Sequence, residues 1–179
     1  SLYLREYAKV VAWRMTKAED LEAIRAYYSL LSFVNEGEGA TRLVYLNRYG
    51  LDDASIQHLP QRPENLAYTD CMVKAARDGQ GAPECMMACL PCMVSYQWIF
   101  QRLLQQYPNV RQTPFWPLVR DYTSDAYEQA CQSWLAYTDR ICQDLDGERK
   151  AQCSEIFREC SLHELHFWEM SLQPRTDLP

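Results

Sequence analysis

Cys85, Cys89 and Cys92 raise the first question of chemistry. The spacing Cys-x-x-x-Cys-x-x-Cys is the one radical enzymes use to hold an iron–sulfur cluster for S-adenosylmethionine, with three thiolates as cluster ligands. Such ligands belong on an open, polar or Gly-rich loop. Here the intervening residues are Met86, Met87, Ala88, Leu90 and Pro91, which read as helix, and Pro91 stands where an aromatic residue usually precedes the third cysteine. The strands of a barrel are also missing, so the cluster reading is set aside. Zinc is weak for another reason: no second Cys/His pair sits at matching spacing. Cys85 and Cys89 then read as core residues.

Cys92 keeps a chemical reading because of its company. Residues 85, 89, 92, 96, 99 and 103 form one helical stripe, which puts Tyr96 one turn from Cys92 on the inward face. Pro91 cannot donate a backbone hydrogen bond, so a kink and free backbone groups are expected beside the thiol. Glu164 is the second anomaly. It lies four residues after Cys160 and three and four before Phe167 and Trp168, on the apolar face that Cys153, Ile156 and Phe157 begin. A carboxylate there must be paired or protonated, as a structural network with Arg or Tyr or as a functional group. Tyrosine is the third. Of twelve, Tyr3, Tyr7, Tyr68 and Tyr96 fall on inward stripes, and Tyr122 follows a Pro-rich segment. A core built for packing alone would use Leu, Ile and Phe, which leave no hydroxyl to satisfy. Tyr68, Tyr96, Cys92 and Glu164 are expected to face one enclosed cavity suited to a flat heteroaromatic ring. His163 and His166 fall off the Glu164 face and read as surface or interface residues.

The elements that must position these residues are helices. With 179 residues, 47% apolar and 12% aromatic, the chain is sized for one domain with a substantial core. Only six glycines and nine prolines interrupt it, and apolar residues recur at three- and four-residue steps. The spacing predicts helices over Leu2–Thr16, Ala18–Leu46, Asn65–Arg77, Pro83–Gln106, Ser124–Leu145 and Glu148–Met170. Residues Gly50–Glu64 read as a loop with one helical turn, and Tyr107–Pro117 as irregular. The fold class is all-α. A net charge of -6 argues against nucleic acid as partner, and no stretch reads as a membrane span or signal peptide. The eight cysteines sit in helical segments beside apolar residues, which fits reduced thiols in a cytoplasmic protein.

With these residues in place, the chain resembles the TenA family (thiaminase II, or aminopyrimidine aminohydrolase) in its cysteine-containing branch. The similarity runs through Ser1–Lys9, Ala67-Tyr-Thr69, Leu90-Pro-Cys-Met-Val-Ser-Tyr96, Phe115–Tyr122, and Ile156-Phe through Glu164-Leu-His-Phe-Trp-Glu-Met170. The resemblance implies a haem-oxygenase-like helical bundle spanning 1–179 as a single domain, a homotetramer, and no metal or organic cofactor. It implies Cys92 as nucleophile and Glu164 as the proton-transferring carboxylate. Tyr3, Tyr68, Tyr96 and Tyr122 match pocket tyrosines, and Phe167 a residue that packs on a pyrimidine. The substrate would be a small pyrimidine, an aminopyrimidine or thiamin, in thiamin salvage or degradation. In the family an Asp that reads the aminopyrimidine edge immediately precedes the position of Ser1, and a further helix lies upstream. Both are expected before the first residue of this sequence. Two other readings stay open: a non-hydrolytic relative of the same fold in cofactor synthesis, and a non-catalytic helical regulator or binding protein.

Overall fold

Side-chain caps and prolines set where the helices begin. The computed structural model describes residues 2–32 and 38–174, and among them the regular structure is helical, with no strand. In chain order the helices are α1 (Leu2–Met15), α2 (Leu21–Ser32), α3 (Glu38–Arg48), α4 (Asp53–Ile56) and α5 (Pro63–Asp78). They continue as α6 (Ala82–Gln106), a 3₁₀ turn (Pro108–Gln112), α7 (Trp116–Tyr122), α8 (Asp125–Cys142) and α9 (Gly147–Ser171). Asp20, Ser124 and Asp146 cap α2, α8 and α9, accepting from the N–H groups of Ala23 (2.7 Å), Tyr127 (3.2 Å) and Arg149 (2.8 Å). Asp52 and Ser55 cap the single turn α4 reciprocally. Gly50, at φ 70°, ends α3: its N–H donates to Asn47 and that of Leu51 to Leu46. This left-handed C-terminal motif suits glycine.

Two expectations about the elements are revised. The helix expected over Ala18–Leu46 corresponds to α2 and α3, and residues 33–37 in its middle lie outside the described residues. The segment expected to be irregular contains the 3₁₀ turn and the start of α7, because Pro108 and Pro117 stand in first turns, where a missing N–H costs no hydrogen bond. Helix α6 runs continuously from Ala82 to Gln106, as the spacing predicts, with Pro91 inside it. Pro91 is almost fully enclosed, and the packing around it outweighs the one backbone bond that proline removes.

Helix α6 is the centre of the bundle, touching α1, α5, α7, α8 and α9, while α5 and α9 also pack on each other. Tyr7, Val11, Leu30, Met72, Met86 and Trp134 fill the core, and the eight cysteines are free thiols. Across the bundle, Tyr127 donates to the Met93 carbonyl (2.8 Å) and the Trp134 indole to Ser29 Oγ (3.2 Å). Among the described residues no helix is long and apolar enough to cross a membrane.

One tie was not legible from spacing. Glu84, fully buried at the start of α6, accepts from Arg149 Nε (3.2 Å) and Nη2 (2.8 Å) at the start of α9. Gly79 lets the chain approach it: a Cβ there would stand 2.7 Å from that of Glu84 and 2.2 Å from the Ala75 carbonyl oxygen. Removing one partner of a buried pair strands the other charge. Arg149→Met should therefore lower the thermal midpoint by roughly 5 °C or more. Arg140→Met, which breaks the exposed pair with Glu22, should move it far less. Thermal melts of the two variants check the contrast.

Candidate active site

Four helices deliver the residues that the sequence singled out. Cys92 comes from the middle of α6, Glu164 from α9, Tyr68 from α5 and Tyr3 from α1. All four are buried. On α9 only Cys153, Cys160 and Glu164 are fully inside, so the carboxylate occupies a true core position. Its place follows from spacing, one turn after Cys160 on the same face.

The four side chains feel one another. Burial holds the Tyr3 hydroxyl well above the usual phenol range, and the Cys92 thiol, the Tyr68 hydroxyl and the Glu164 carboxylate add to the push. Tyr68 is held up in the same way, by burial first, then by Glu164 and Cys92. Both tyrosines thus stay protonated and can donate hydrogen bonds where negative charge develops on the sulfur or the carboxylate. The Tyr3 hydroxyl is in hydrogen-bonding relation to Cys92 and lies 3.6 Å from Met72 Sδ, so rotation of one O–H bond chooses between two sulfurs. Cys89, one turn before Cys92 on α6, is raised by its hydrogen bond with Cys85, by its complete burial and by neighbouring thiols. It is an inert thiol by position.

Aromatic rings divide into two groups that meet along α9. In the first, the Tyr3 ring lies 5.0 Å from that of Tyr68 and 5.6 Å from that of Phe167. In the second, Tyr96 lies 5.1 Å from Tyr122 and 5.3 Å from Trp168. Phe100 stacks on Tyr122 at 4.9 Å. Phe167 and Trp168 are adjacent in sequence, and Cys92 and Tyr96 are one turn apart on α6, so the groups are continuous. Beside the first group opens a cavity of about 280 Å³, lined by Tyr3 and Phe167 and, opposite, by Leu46, Ile56, Leu59, Arg62 and Asn65. Its lining does not include Cys92, Glu164, Tyr68 or Tyr96, the four residues expected around one enclosed space.

Several residues here were missed. Asn65 is 5% exposed and its Oδ1 accepts no hydrogen bond among the described residues. It stands three before Tyr68, so helical spacing could have placed it on the same face. Arg62 donates to the Met170 and Gln173 carbonyls (3.0 and 2.9 Å), tying the entry of α5 to the end of α9. His163 is not simply a surface residue: it is half-buried and its ring stacks on Tyr68, 5.6 Å between centroids and 13° between planes. Desolvation by burial, reinforced by His166, lowers its pKa. His166 is exposed as expected. Face-counting along α9 alone could not see that α5 covers His163.

An all-α bundle whose core gathers a thiol, a carboxylate and protonated tyrosines defines the class. The chain belongs to the TENA/THI-4/PQQC family, whose model matches residues 1–174. Among similar proteins, an aminopyrimidine aminohydrolase of Halalkalibacterium halodurans is 27% identical over 175 residues, covering 97% of this chain and 77% of that one. An aminopyrimidine aminohydrolase of Helicobacter pylori is 28% identical over 174 residues, covering 96% and 79%. The fold is shared with a solved structure described as a TenA family transcription regulator from Silicibacter sp. TM1040, at TM-score 0.82 and 22% identity, covering 97% and 78%. A TenA homologue from P. horikoshii OT3 superposes at TM-score 0.78 and 23% identity, covering 94% of this chain and 76% of that one.

Proposed function

We propose that this chain is a thiaminase II-like aminopyrimidine aminohydrolase, with Cys92 as nucleophile and Glu164 as acid/base. The observation that carries the reading is the meeting of Cys92, Glu164, Tyr3 and Tyr68 from four helices in one buried cluster. The two aminohydrolases among its relatives support the same substrate class.

In this reaction the Cys92 thiolate adds to an electron-poor carbon of the pyrimidine, and the ring gives up its aromaticity. Glu164 delivers a proton to the nitrogen on the exocyclic methylene, which leaves as ammonia. Water adds to the methylene and loses a proton to Glu164. The thiolate then departs and aromaticity returns. The net change is aminomethylpyrimidine plus water to hydroxymethylpyrimidine plus ammonia. A thiol activated beside a positioned acid/base is the requirement of such covalent catalysis. The donor hydroxyls of Tyr3 and Tyr68 favour the charged forms of both groups, and Phe167 stacks on the ring. The role assigned to Asn65, whose Oδ1 accepts no hydrogen bond among the described residues, is to accept from a substrate amine entering through the cavity that Tyr3 and Arg62 also line.

The test is turnover of 4-amino-5-aminomethyl-2-methylpyrimidine, and separately of thiamin, followed by liquid chromatography. Release of hydroxymethylpyrimidine from either supports the reading. Inertness toward both overturns it.

A further inference from the structure

Outside the cluster around Cys92, a second pair of thiols meets across two helices. Cys71 on α5 and Cys160 on α9 stand 3.6 Å apart, sulfur to sulfur, across 89 residues of sequence. Their surroundings differ. Cys160 is fully buried, whereas Cys71 is half-exposed at the seam between the helices. Cavities of about 540 and 300 Å³ both have Cys71 in their walls. We propose that Cys71 and Cys160 are a redox-active pair, open to hydroperoxides through this seam, that closes reversibly to a disulfide.

The asymmetry assigns the roles. Cys160 is sealed in the core, with its sulfur in hydrogen-bonding distance of the Cys71 sulfur. That hydrogen bond lowers the pKa of Cys71, Lys74 nearby assists, and burial and the Glu159 carboxylate oppose it. The reciprocal effect pushes Cys160 up. Cys71, the half-exposed member that peroxide can meet, is the attacking thiolate, and buried Cys160 is the resolving thiol. The Cys71 thiolate attacks hydrogen peroxide, forming the sulfenic acid and releasing hydroxide. The Cys160 sulfur then displaces the sulfenic oxygen, which leaves as water once protonated, and the S–S bond forms. One peroxide is reduced and two thiols are oxidised. The Cys142/Cys153 pair is a natural comparison: burial raises both, Cys153 to about 11, which disfavours attack at neutral pH.

Closure has a consequence that rests on the function proposed above. Cys71 lies one turn after Tyr68, and Cys160 one turn before Glu164. A disulfide needs about 2.05 Å between sulfurs, so forming it from 3.6 Å shifts the turns that carry Tyr68 and Glu164. A misplacement near 1 Å can cost about 10²-fold in rate, and turnover should fall at least tenfold.

The experiment treats the reduced full chain with one equivalent of hydrogen peroxide, alkylates the remaining thiols and maps peptides without reduction. The expected product is a Cys71–Cys160 linked peptide that dithiothreitol reverses, absent in Cys71→Ser. Dimedone added with the peroxide should label Cys71 first. Alkylation of both Cys71 and Cys160 while other cysteines are oxidised overturns the proposal. So does Cys71 passing to sulfinic acid without linking. Should Cys71→Ser fail to fold, wild-type mapping decides alone. Turnover is read on the same samples. A linked peptide in a chain that is inactive even when reduced would sink the hydrolase reading and leave the thiol pair standing.

Discussion

Cys92→Ser is expected to abolish release of hydroxymethylpyrimidine, lowering kcat by about 10³-fold or more, with the circular dichroism of the wild type. A serine hydroxyl keeps the shape of the side chain, but its proton is held far more tightly than that of a thiol, so the nucleophile is lost without emptying the site. The control is Cys89→Ser, one turn earlier on the same stripe of α6 and fully buried. It should leave kcat within a few-fold while costing about 1–3 kcal/mol of stability, since the new hydroxyl is buried. Opposite signatures are expected in the two variants, one in rate and the other in melting. Equal loss of activity in both would reduce Cys92 to another core cysteine.

Glu164→Gln should bind substrate with a KM close to that of the wild type and lose about 10²–10⁴ in kcat. The amide retains the size of the side chain and one acceptor oxygen, but cannot pass a proton to the leaving nitrogen or take one from water. The drop should fall on kcat because the missing interaction belongs to the transition state. Glu164→Asp, which retains the acid on a shorter arm, should recover part of the loss. Wild-type kcat in Glu164→Gln would make Glu164 a structural carboxylate, held like Glu84 by its neighbours.

Much of this was readable because one-dimensional spacing controls which side of a helix a residue occupies. Glu164 follows Cys160 by one turn, and Cys92, Tyr96 and Cys89 share a stripe, so their inward placement needed no knowledge of neighbours. The helical reading of α5, α6, α8 and α9 held for the same reason, with Ser124 and Asp146 marking two of the starts. What stayed hidden depends on which helix lies against which. The stacking of His163 on Tyr68 and the Glu84–Arg149 pair both arise where α9 packs against α5 and α6. The meeting of Cys71 and Cys160 is the same kind of event. Pro91 did not hide α6: apolar spacing carries the helix through it, and the chain is continuous there.

The most direct measurement of the central claim is wild-type turnover of the aminomethylpyrimidine in water enriched in ¹⁸O, with the product read by mass spectrometry. C–N hydrolysis with water attacking the methylene predicts one ¹⁸O in the hydroxymethyl group and one ammonia released per turn, both lost in Cys92→Ser. Unlabelled product, or labelled product formed equally well by Cys92→Ser, would contradict it.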